Sequence, residues 1–332
     1  MKRIKIAQIG TSRYSHGSAI FNCIKKLPDF FEVAGYCLPE NEKEKFGDTM
    51  HIFDGYKELT LDEILINPAI EAVVVETEEC YLTKYALLAA NNKKHIHMEK
   101  PGSQNLNDFE KLISVVSKNK TIFHTGYMYR YNPYIMNLIE RIKSGELGEI
   151  ISVEAQMNCY HKPEMREWLR KYKGGMMFFL GCHLIDLVLN IQGNPEKIIP
   201  LNKSTSGMCE DFGMAAFEYK NGVSFVKTSA VEYGGFARRQ LVVSGTKGTV
   251  EIRPLELNYK YPVETTSYRE VYDSSWNSDS EFVTTEGFDR YEPMMKSFAE
   301  MVRGKKENPW NYDYELNLYK TILKACSIKT DF

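Results

Sequence analysis

The sequence has no excess of charge of either sign, because 42 lysine and arginine residues face 44 aspartate and glutamate residues. A domain that neutralises nucleic-acid phosphates along a groove needs a surplus of basic residues. A run of about 18 consecutive apolar residues, the length that spans a bilayer, is absent as well. We therefore expect neither a nucleic-acid nor a membrane partner.

The sequence also lacks a C-x-x-C pair, and its seven cysteines are scattered without the spacing of a small disulfide scaffold. We expect reduced thiols and a cytoplasmic location. The opening MKRIKIAQIG has an apolar stretch too short for a signal peptide. What the sequence does have is 332 residues, 43% of them hydrophobic, which suits two globular domains. We predict domains at 1–125 and 126–332.

The first domain alternates short apolar runs with amphipathic helical patterns, which is typical of βαβ units around a parallel sheet. We predict a doubly wound Rossmann sheet of six strands that binds a dinucleotide. Helices are expected at 19–27, 61–66, 81–91 and 106–118. The clearest strands are at 4–9, 31–38, 72–75, 95–98 and 121–125.

From residue 126 the pattern changes to that of an α+β domain with an open, mostly antiparallel sheet. Strands are predicted at 149–157, 213–219, 223–231 and 238–244, with Asn221-Gly222 as a hairpin turn. Residues 254–287 are polar and aperiodic, which predicts a long loop. Helices are predicted at 133–143, 176–191, 291–303 and 313–327.

The turn after the first strand reads GTSRYSHG, and only Gly10 matches the three glycines of a dinucleotide-binding turn. Ser12 and Ser15 occupy the other two positions, where a hydroxyl can donate to a phosphate but a Cβ limits close approach. The turn therefore fits either a phosphate site or an ordinary strand-to-helix connection. Its position after the first strand favours the phosphate site.

The second strand ends on Leu38, where an acid commonly binds the adenosine ribose. Loss of that acid removes a barrier to a ribose phosphate. Three glutamates follow at residues 40, 42 and 44, however, and they repel a phosphate unless Arg13 or Lys43 compensates. The choice between NAD and NADP stays open.

The fourth of these strands runs into Glu99-Lys100-Pro101, which resembles the EKP signature of the Gfo/Idh/MocA oxidoreductases. Further blocks that resemble this family follow in order and cover nearly the whole chain. They are 126–133 (GYMYRYNP), 144–150 (SGELGEI), 174–175 (GG), 181–186 (GCHLID) and 244–248 (SGTKG).

The resemblance implies an NAD(P)-dependent enzyme that acts on a secondary alcohol of a sugar, inositol or related polyol. Lys100 then stabilises the alkoxide, and His183 transfers the hydroxyl proton. Pro101 is expected to be cis, and Asp186 to have a structural role. The implied cofactor-binding residues are Gly10, Ser12, Arg13, Ser15, Leu38, Thr77, Glu99, Lys100 and Pro101.

The sequence departs from the family at several of these positions. Relatives usually carry an aspartate four residues before the catalytic histidine, where this chain has Phe179. The family's TPNxxH stretch is replaced here by TEECYL, with Glu78 for the proline and Leu82 for the histidine. These changes support an alternative, a non-catalytic sugar or nucleotide sensor or a partner subunit on the same scaffold.

The other candidates are weaker. Arg130, Tyr160, Arg166 and Trp168 are candidate substrate contacts, since aromatic faces stack on sugars and arginine binds carboxylates. His95 and His97 share a strand face, but no third ligand has a recognisable spacing, so no metal is predicted. By analogy with the family we expect a homodimer or a homotetramer.

Overall fold

The computed structural model describes residues 2–260 and 262–330. The chain divides into two compact units, which are described separately below. Unit 1 comprises Met1–Met128 with Tyr291–Asn317, and unit 2 comprises Tyr129–Arg290 with Leu318–Phe332. Residues 291–317 therefore group with the start of the chain.

Unit 1 is built on a five-stranded parallel sheet with the strand order β2-β1-β3-β4-β5. The prediction of six strands is wrong for the described residues, where the five strands correspond to the five ranges predicted above. The strands are β1 (Ile4–Ile9), β2 (Phe31–Cys37), β3 (Ala72–Val75), β4 (His95–Met98) and β5 (Phe123–Thr125).

Helices connect these strands, as a parallel sheet requires. Their starts follow local chemistry: Thr60 and Glu63 form a capping box, and the Asn105 side chain accepts from the amide of Asp108. The helices are α1 (Gly17–Lys25), α2 (Glu42–Lys45), α3 (Leu61–Ile66), α4 (Glu79–Asn91) and α5 (Leu106–Asn119), with a 3-10 turn at Gly47–Phe53.

Unit 2 contains an eight-stranded sheet with the order β15-β14-β11-β10-β6-β9-β8-β7, in which only β6 and β9 pair in parallel. This confirms the predicted open, mostly antiparallel sheet. Three short strands, β12, β13 and β16, form a second sheet. The strands are β6 (Ile150–Asn158), β7 (Lys197–Pro200), β8 (Phe212–Tyr219), β9 (Gly222–Ser229), β10 (Gln240–Gly245), β11 (Gly248–Ile252), β12 (Leu257–Lys260), β13 (Val263–Thr265), β14 (Ser267–Val271), β15 (Val283–Thr284) and β16 (Phe288–Asp289).

Two local predictions in unit 2 are corrected. The hairpin turn is Lys220-Asn221, because Gly222 already pairs with Tyr219. The stretch 254–287 is not a long loop, since β14 pairs with β11 and β13 pairs with β12. These strands are only two to five residues long, too short for a period to show in the sequence.

The remaining helices are α6 (Pro133–Lys143), α7 (Pro163–Leu169), α8 (Cys182–Gln192), α9 (Glu292–Val302) and α10 (Tyr312–Ala325). The helix predicted at 176–191 begins with a π-helical turn, Met177–Gly181, before α8. Such turns are frequent at functional sites. Among residues 2–260 and 262–330, no helix is long and apolar enough to cross a membrane.

Candidate active site

The turn after β1 requires a glycine at its first position. Gly10 has φ +87°, and a Cβ there would lie 2.5 Å from Cγ2 of Thr77 and 2.7 Å from its backbone nitrogen. Any side chain at residue 10 would therefore clash with the segment after β3. This close approach is the feature that the first glycine of a dinucleotide-binding turn provides.

Ser12 and Ser15 fold the rest of the turn with their own hydrogen bonds. The Ser12 amide donates to the Glu76 carbonyl at 2.9 Å, and the Ser15 hydroxyl donates to the Ser12 carbonyl at 3.0 Å. The Ser15 Oγ also accepts from the Gly17 amide at 3.1 Å. The two serines thus stabilise the turn where relatives rely on glycine.

Glu42 brings a carboxylate to this turn. Its Oε2 accepts from the Thr11 amide at 2.9 Å, and burial raises its pKa to about 8 against the opposing effect of that hydrogen bond. Its Oε1 and the Thr11 hydroxyl are buried and lack a hydrogen-bond partner in the described part of the chain. Polar atoms of this kind fit a ligand rich in hydroxyl groups, as a dinucleotide is.

Lys100 lies directly after β4 and is only 1% exposed. Its Nζ is 3.6 Å from Oε1 of Glu99, and Oε2 of Glu99 is 3.5 Å from Nδ1 of His16. Burial acts to raise the pKa of Glu99, but His16 and Lys100 outweigh it and hold that pKa below its usual value. The Lys100–Pro101 peptide bond is cis, as expected.

Two further acids that the sequence analysis did not select lie near Lys100. Glu76 and Glu79 are buried, and their carboxylate oxygens lack a hydrogen-bond partner among the residues described. Burial, then the charge of Glu99, raises the pKa of Glu76 well above its usual value. Burial raises the pKa of Glu79 to about 8, although Lys100 opposes this. A buried strand that runs straight into ETEE was the available sequence signal.

The histidines of β4 serve the core of unit 1. His97 Nδ1 lies 2.8 Å from Nδ1 of His124, and burial lowers the pKa of His97 to about 4. His95 instead accepts from the Ile122 amide at 3.0 Å. Within the described ranges, no group of three His, Cys, Asp or Glu residues is arranged to hold a metal ion.

In unit 2, His183 is buried on α8, with the Tyr129 ring 5.5 Å away in an edge-on contact. Asp186 lies three residues further along α8 and binds the Arg130 guanidinium, with Nη2 to Oδ1 at 2.7 Å and Nε to Oδ2 at 3.0 Å. The structural role expected for Asp186 is consistent with this pair. The Arg130 guanidinium is bound to that carboxylate, and the role of Arg130 as a substrate contact stays a prediction.

Phe179 packs against aromatic neighbours where relatives usually carry the aspartate. Its ring centroid lies 5.4 Å from that of Trp168 and 6.4 Å from that of His161. Burial, and then the charge of Arg239, lowers the pKa of His161 to about 4. Trp168 is itself buried in this cluster.

The remaining candidates differ in exposure. Arg166 is 3.7 Å from Asp211 and mostly buried, whereas Tyr160 is 46% exposed and stacks on Tyr233 at 4.5 Å. In unit 1, Arg13 is exposed and Leu38 is half-buried. Lys100 and His183 belong to different units.

Two family models match the chain. One, described as an oxidoreductase family with an NAD-binding Rossmann fold, matches residues 4–127. The other, the GFO/IDH/MocA C-terminal domain, matches residues 135–251. The chain belongs to the Gfo/Idh/MocA oxidoreductase family, which confirms the resemblance seen in the EKP segment and the later blocks.

Among curated proteins, the chain is 23% identical over 206 residues to 2,7-anhydro-N-acetylneuraminate hydratase of Escherichia coli, covering 58% of this chain and 54% of the relative. It is 23% identical to myo-inositol 2-dehydrogenase of Thermotoga maritima, covering 74% of each. The chain spans about half the length of several such relatives.

Solved structures share the fold over almost the full length. A levoglucosan dehydrogenase solved with NADH and levoglucosan has a TM-score of 0.76 and 16% identity, covering 98% of each chain. An oxidoreductase from Thermotoga maritima has a TM-score of 0.78 and 17% identity, covering 98% of this chain and 96% of the other. The predicted fold class is confirmed.

Proposed function

We propose that this protein is an NAD(P)-dependent oxidoreductase that moves hydride between the nicotinamide and a secondary alcohol of a sugar, inositol or related polyol. A bound dinucleotide supplies the hydride acceptor or donor. In the oxidative direction the alcohol loses a hydride to the nicotinamide and its hydroxyl proton to the protein, and the reverse direction returns both. The family's named dehydrogenases support this reaction class.

The observation that carries the proposal is the buried ammonium group of Lys100. Removing a lysine from water is costly, and such residues are rarely fully buried unless paired or functional. Lys100 is 1% exposed and has Glu99 beside it. An ammonium group held in this way stabilises the negative charge that develops on a reacting oxygen.

His183 is proposed to take and return the hydroxyl proton, since an imidazole does both near neutral pH. The π-helical turn before α8 sets the start of this helix. The Arg130–Asp186 pair holds α8 one turn further on. His183 thus lies at the start of a helix whose next turn is held by a buried ion pair.

The test is to titrate the purified full chain with NADH and NADPH, and then to assay a polyol panel by the absorbance of the reduced nicotinamide. Lys100→Ala should lower turnover by at least about a hundredfold. Lys111→Ala, which removes an exposed lysine from α5, should leave it unchanged. Failure to bind either nucleotide at roughly millimolar concentration overturns the proposal.

A second candidate is a ligand sensor without turnover. Phe179 favours it, because an apolar ring fills the position where relatives carry a carboxylate. The sensor would be supported if calorimetry showed binding of nucleotide and sugar while no polyol of the panel reduced the nicotinamide. Turnover that disappears in His183→Asn would exclude it.

We also propose a cytoplasmic homo-oligomer, a homodimer or homotetramer. The seven cysteines lack the spacing of a disulfide scaffold, which suits a reducing compartment. Exposed apolar side chains lie on two strands of the large sheet, namely Ile199 on β7 and Val223 on β9. Burying them against a second copy would remove apolar surface from water. Light scattering on the eluted protein should give the mass of two or four chains.

A further inference from the structure

A carboxylate reaches the dinucleotide turn of unit 1 from an unusual place. In a Rossmann domain the acid that binds the adenosine ribose ends the second strand, and that position here is Leu38. Glu42 lies four residues further on, at the start of α2, and its side chain returns to the turn after β1. There its Oε2 accepts from the Thr11 amide at 2.9 Å. The hydrogen bond places an acid beside the dinucleotide turn despite the loss at Leu38.

Two polar atoms next to this hydrogen bond have no partner. Glu42 Oε1 and the Thr11 hydroxyl are both buried, and neither has a hydrogen-bond partner in the structure described. Buried polar atoms are nearly always hydrogen-bonded, so exceptions need an explanation. An acceptor and a hydroxyl side by side match the vicinal hydroxyls of a ribose. A phosphate, which has only acceptor oxygens once it is ionised, does not match the ionised carboxylate.

The nearby lysines do not neutralise the negative charge of a phosphate, because they already lie against glutamates. Lys43 Nζ is 2.6 Å from Oε2 of Glu58, and Lys45 Nζ is 3.9 Å from Oε2 of Glu78. Glu40 accepts from Lys84 at 2.6 Å. A ribose phosphate at this turn would meet carboxylates whose cations are already engaged, and such a phosphate normally needs an arginine or lysine of its own.

We propose that Glu42 selects NAD over NADP, by accepting a hydroxyl of the adenosine ribose and repelling a phosphate in its place. The inference rests on the proposed function, because it assigns specificity within the same dinucleotide site. Glu42 is 1% exposed, so a ribose has to shift the four-residue helix α2 to reach Oε1. Glu42 is a specificity-determining residue that takes the place of the acid missing from the strand end.

The experiment measures equilibrium dissociation constants of NADH and NADPH for the full chain by nicotinamide fluorescence. At about pH 9, where Glu42 is ionised, the wild-type protein should bind NADH at least about tenfold more tightly than NADPH. Glu42→Gln should weaken NADH binding by about tenfold and bring the two constants together. Glu44→Gln removes the same charge from an exposed position on α2 and should leave both constants unchanged. Melting curves establish that each variant is folded.

The pH dependence adds a readout that a purely structural role would not change. The ionised carboxylate is the better acceptor and repels a phosphate more strongly, so the preference for NADH should be larger at about pH 9 than at about pH 6.5. Glu42→Gln should abolish this change. The titratable groups that face Glu42 are Cys37, Glu40, Lys45, Glu78 and Tyr85.

The outcomes separate this inference from the proposed function. Binding of NADPH as tightly as NADH, or an unchanged ratio in Glu42→Gln, overturns the inference and leaves the oxidoreductase proposal standing. Selective loss of NADPH binding in Arg13→Ala from a protein that prefers NADPH would assign the phosphate to Arg13 instead. Binding of neither nucleotide overturns the proposed function and this inference with it.

Discussion

In unit 2 the buried acids of the site region lie against arginines, whereas in unit 1 two buried glutamates have no hydrogen-bond donor among the residues described. Asp186 binds Arg130, and Glu256 lies between Arg239 and Arg290. The carboxylate oxygens of Glu76 and Glu79, by contrast, lack a hydrogen-bond partner in the described part of the chain, although His97 Nε2 lies 3.9 Å from Oε1 of Glu76. Both arrangements remove charge from water, but the first pairs each acid directly with arginine, whereas in the second Lys100 only partly offsets the effect of burial.

The difference indicates two uses of buried charge. A paired carboxylate holds helices and strands in place, and breaking the pair is costly. An unpaired carboxylate raises its pKa and takes up a proton, which lowers stability at neutral pH and is retained where function needs it. Glu76 and Glu79 are of the second kind, whereas Glu99 beside Lys100 keeps a lowered pKa. The following predictions test this contrast, from the largest effect to the smallest.

The largest effect is expected from breaking the Arg130–Asp186 pair. Arg130→Ala leaves a buried, uncompensated carboxylate and should lower the free energy of unfolding by roughly 3–5 kcal/mol. Chemical denaturation monitored by circular dichroism measures it. Arg170→Ala, which removes a mostly exposed arginine of unit 2, is the control and should have no effect. The double variant Arg130→Met with Asp186→Leu should recover much of the loss, and a loss as large as in Arg130→Ala would contradict the pairing argument.

A smaller, pH-dependent effect is expected at Glu79. Its pKa is about 8 in the folded protein, above its ordinary value of 4.5, so the folded state holds the proton more tightly. The stabilisation that this tighter proton binding gives the folded state is full below about pH 4.5 and is lost progressively as the pH rises to about 8. Glu79→Gln cannot ionise, so at about pH 8 it should be more stable than the wild-type protein by roughly 2–4 kcal/mol.

The measurement for Glu79 is the free energy of unfolding at several pH values across this range. Glu140→Gln, at an exposed position on α6, should follow the wild-type slope. Equal slopes in Glu79→Gln and the wild-type protein would show that Glu79 titrates normally in the folded state. The contrast between the two units would then fail.

The smallest effect is expected for a surface pair. Lys43 and Glu58 lie 2.6 Å apart, but both side chains are largely exposed. Solvent and salt screen such pairs, so Lys43→Ala should leave the denaturation midpoint unchanged. A clear loss of stability would show that surface charge contributes more here than burial suggests.

Several elements could be predicted from the sequence because their signals are local. β1, β3 and β4 follow from short apolar runs, and their predicted bounds agree with the structure. The helix predicted at 61–66 has the same bounds in the structure, where Thr60 and Glu63 cap its start. The EKP segment identified the family, and the family models confirm it.

The strands within 254–287 could not be predicted, because each is stabilised by a partner distant in the sequence. β14 pairs with β11 across a long connection, and no periodicity reveals such a pairing in a five-residue strand. The burial of Glu42 and Glu79 could not be predicted for a similar reason. Whether Glu42 or Glu79 is a solvated surface charge or a buried carboxylate depends on what covers it.

The sequence by itself determined the alternation of strands and helices, the glycine required at residue 10, and the family of the chain, because these depend on neighbouring residues. Only the tertiary structure decided that residues 291–317 group with the first unit, that Asp186 binds Arg130, and that Glu42 lies on the dinucleotide turn. Burial and partner atoms come from distant parts of the chain, and they set the charge state of each acid.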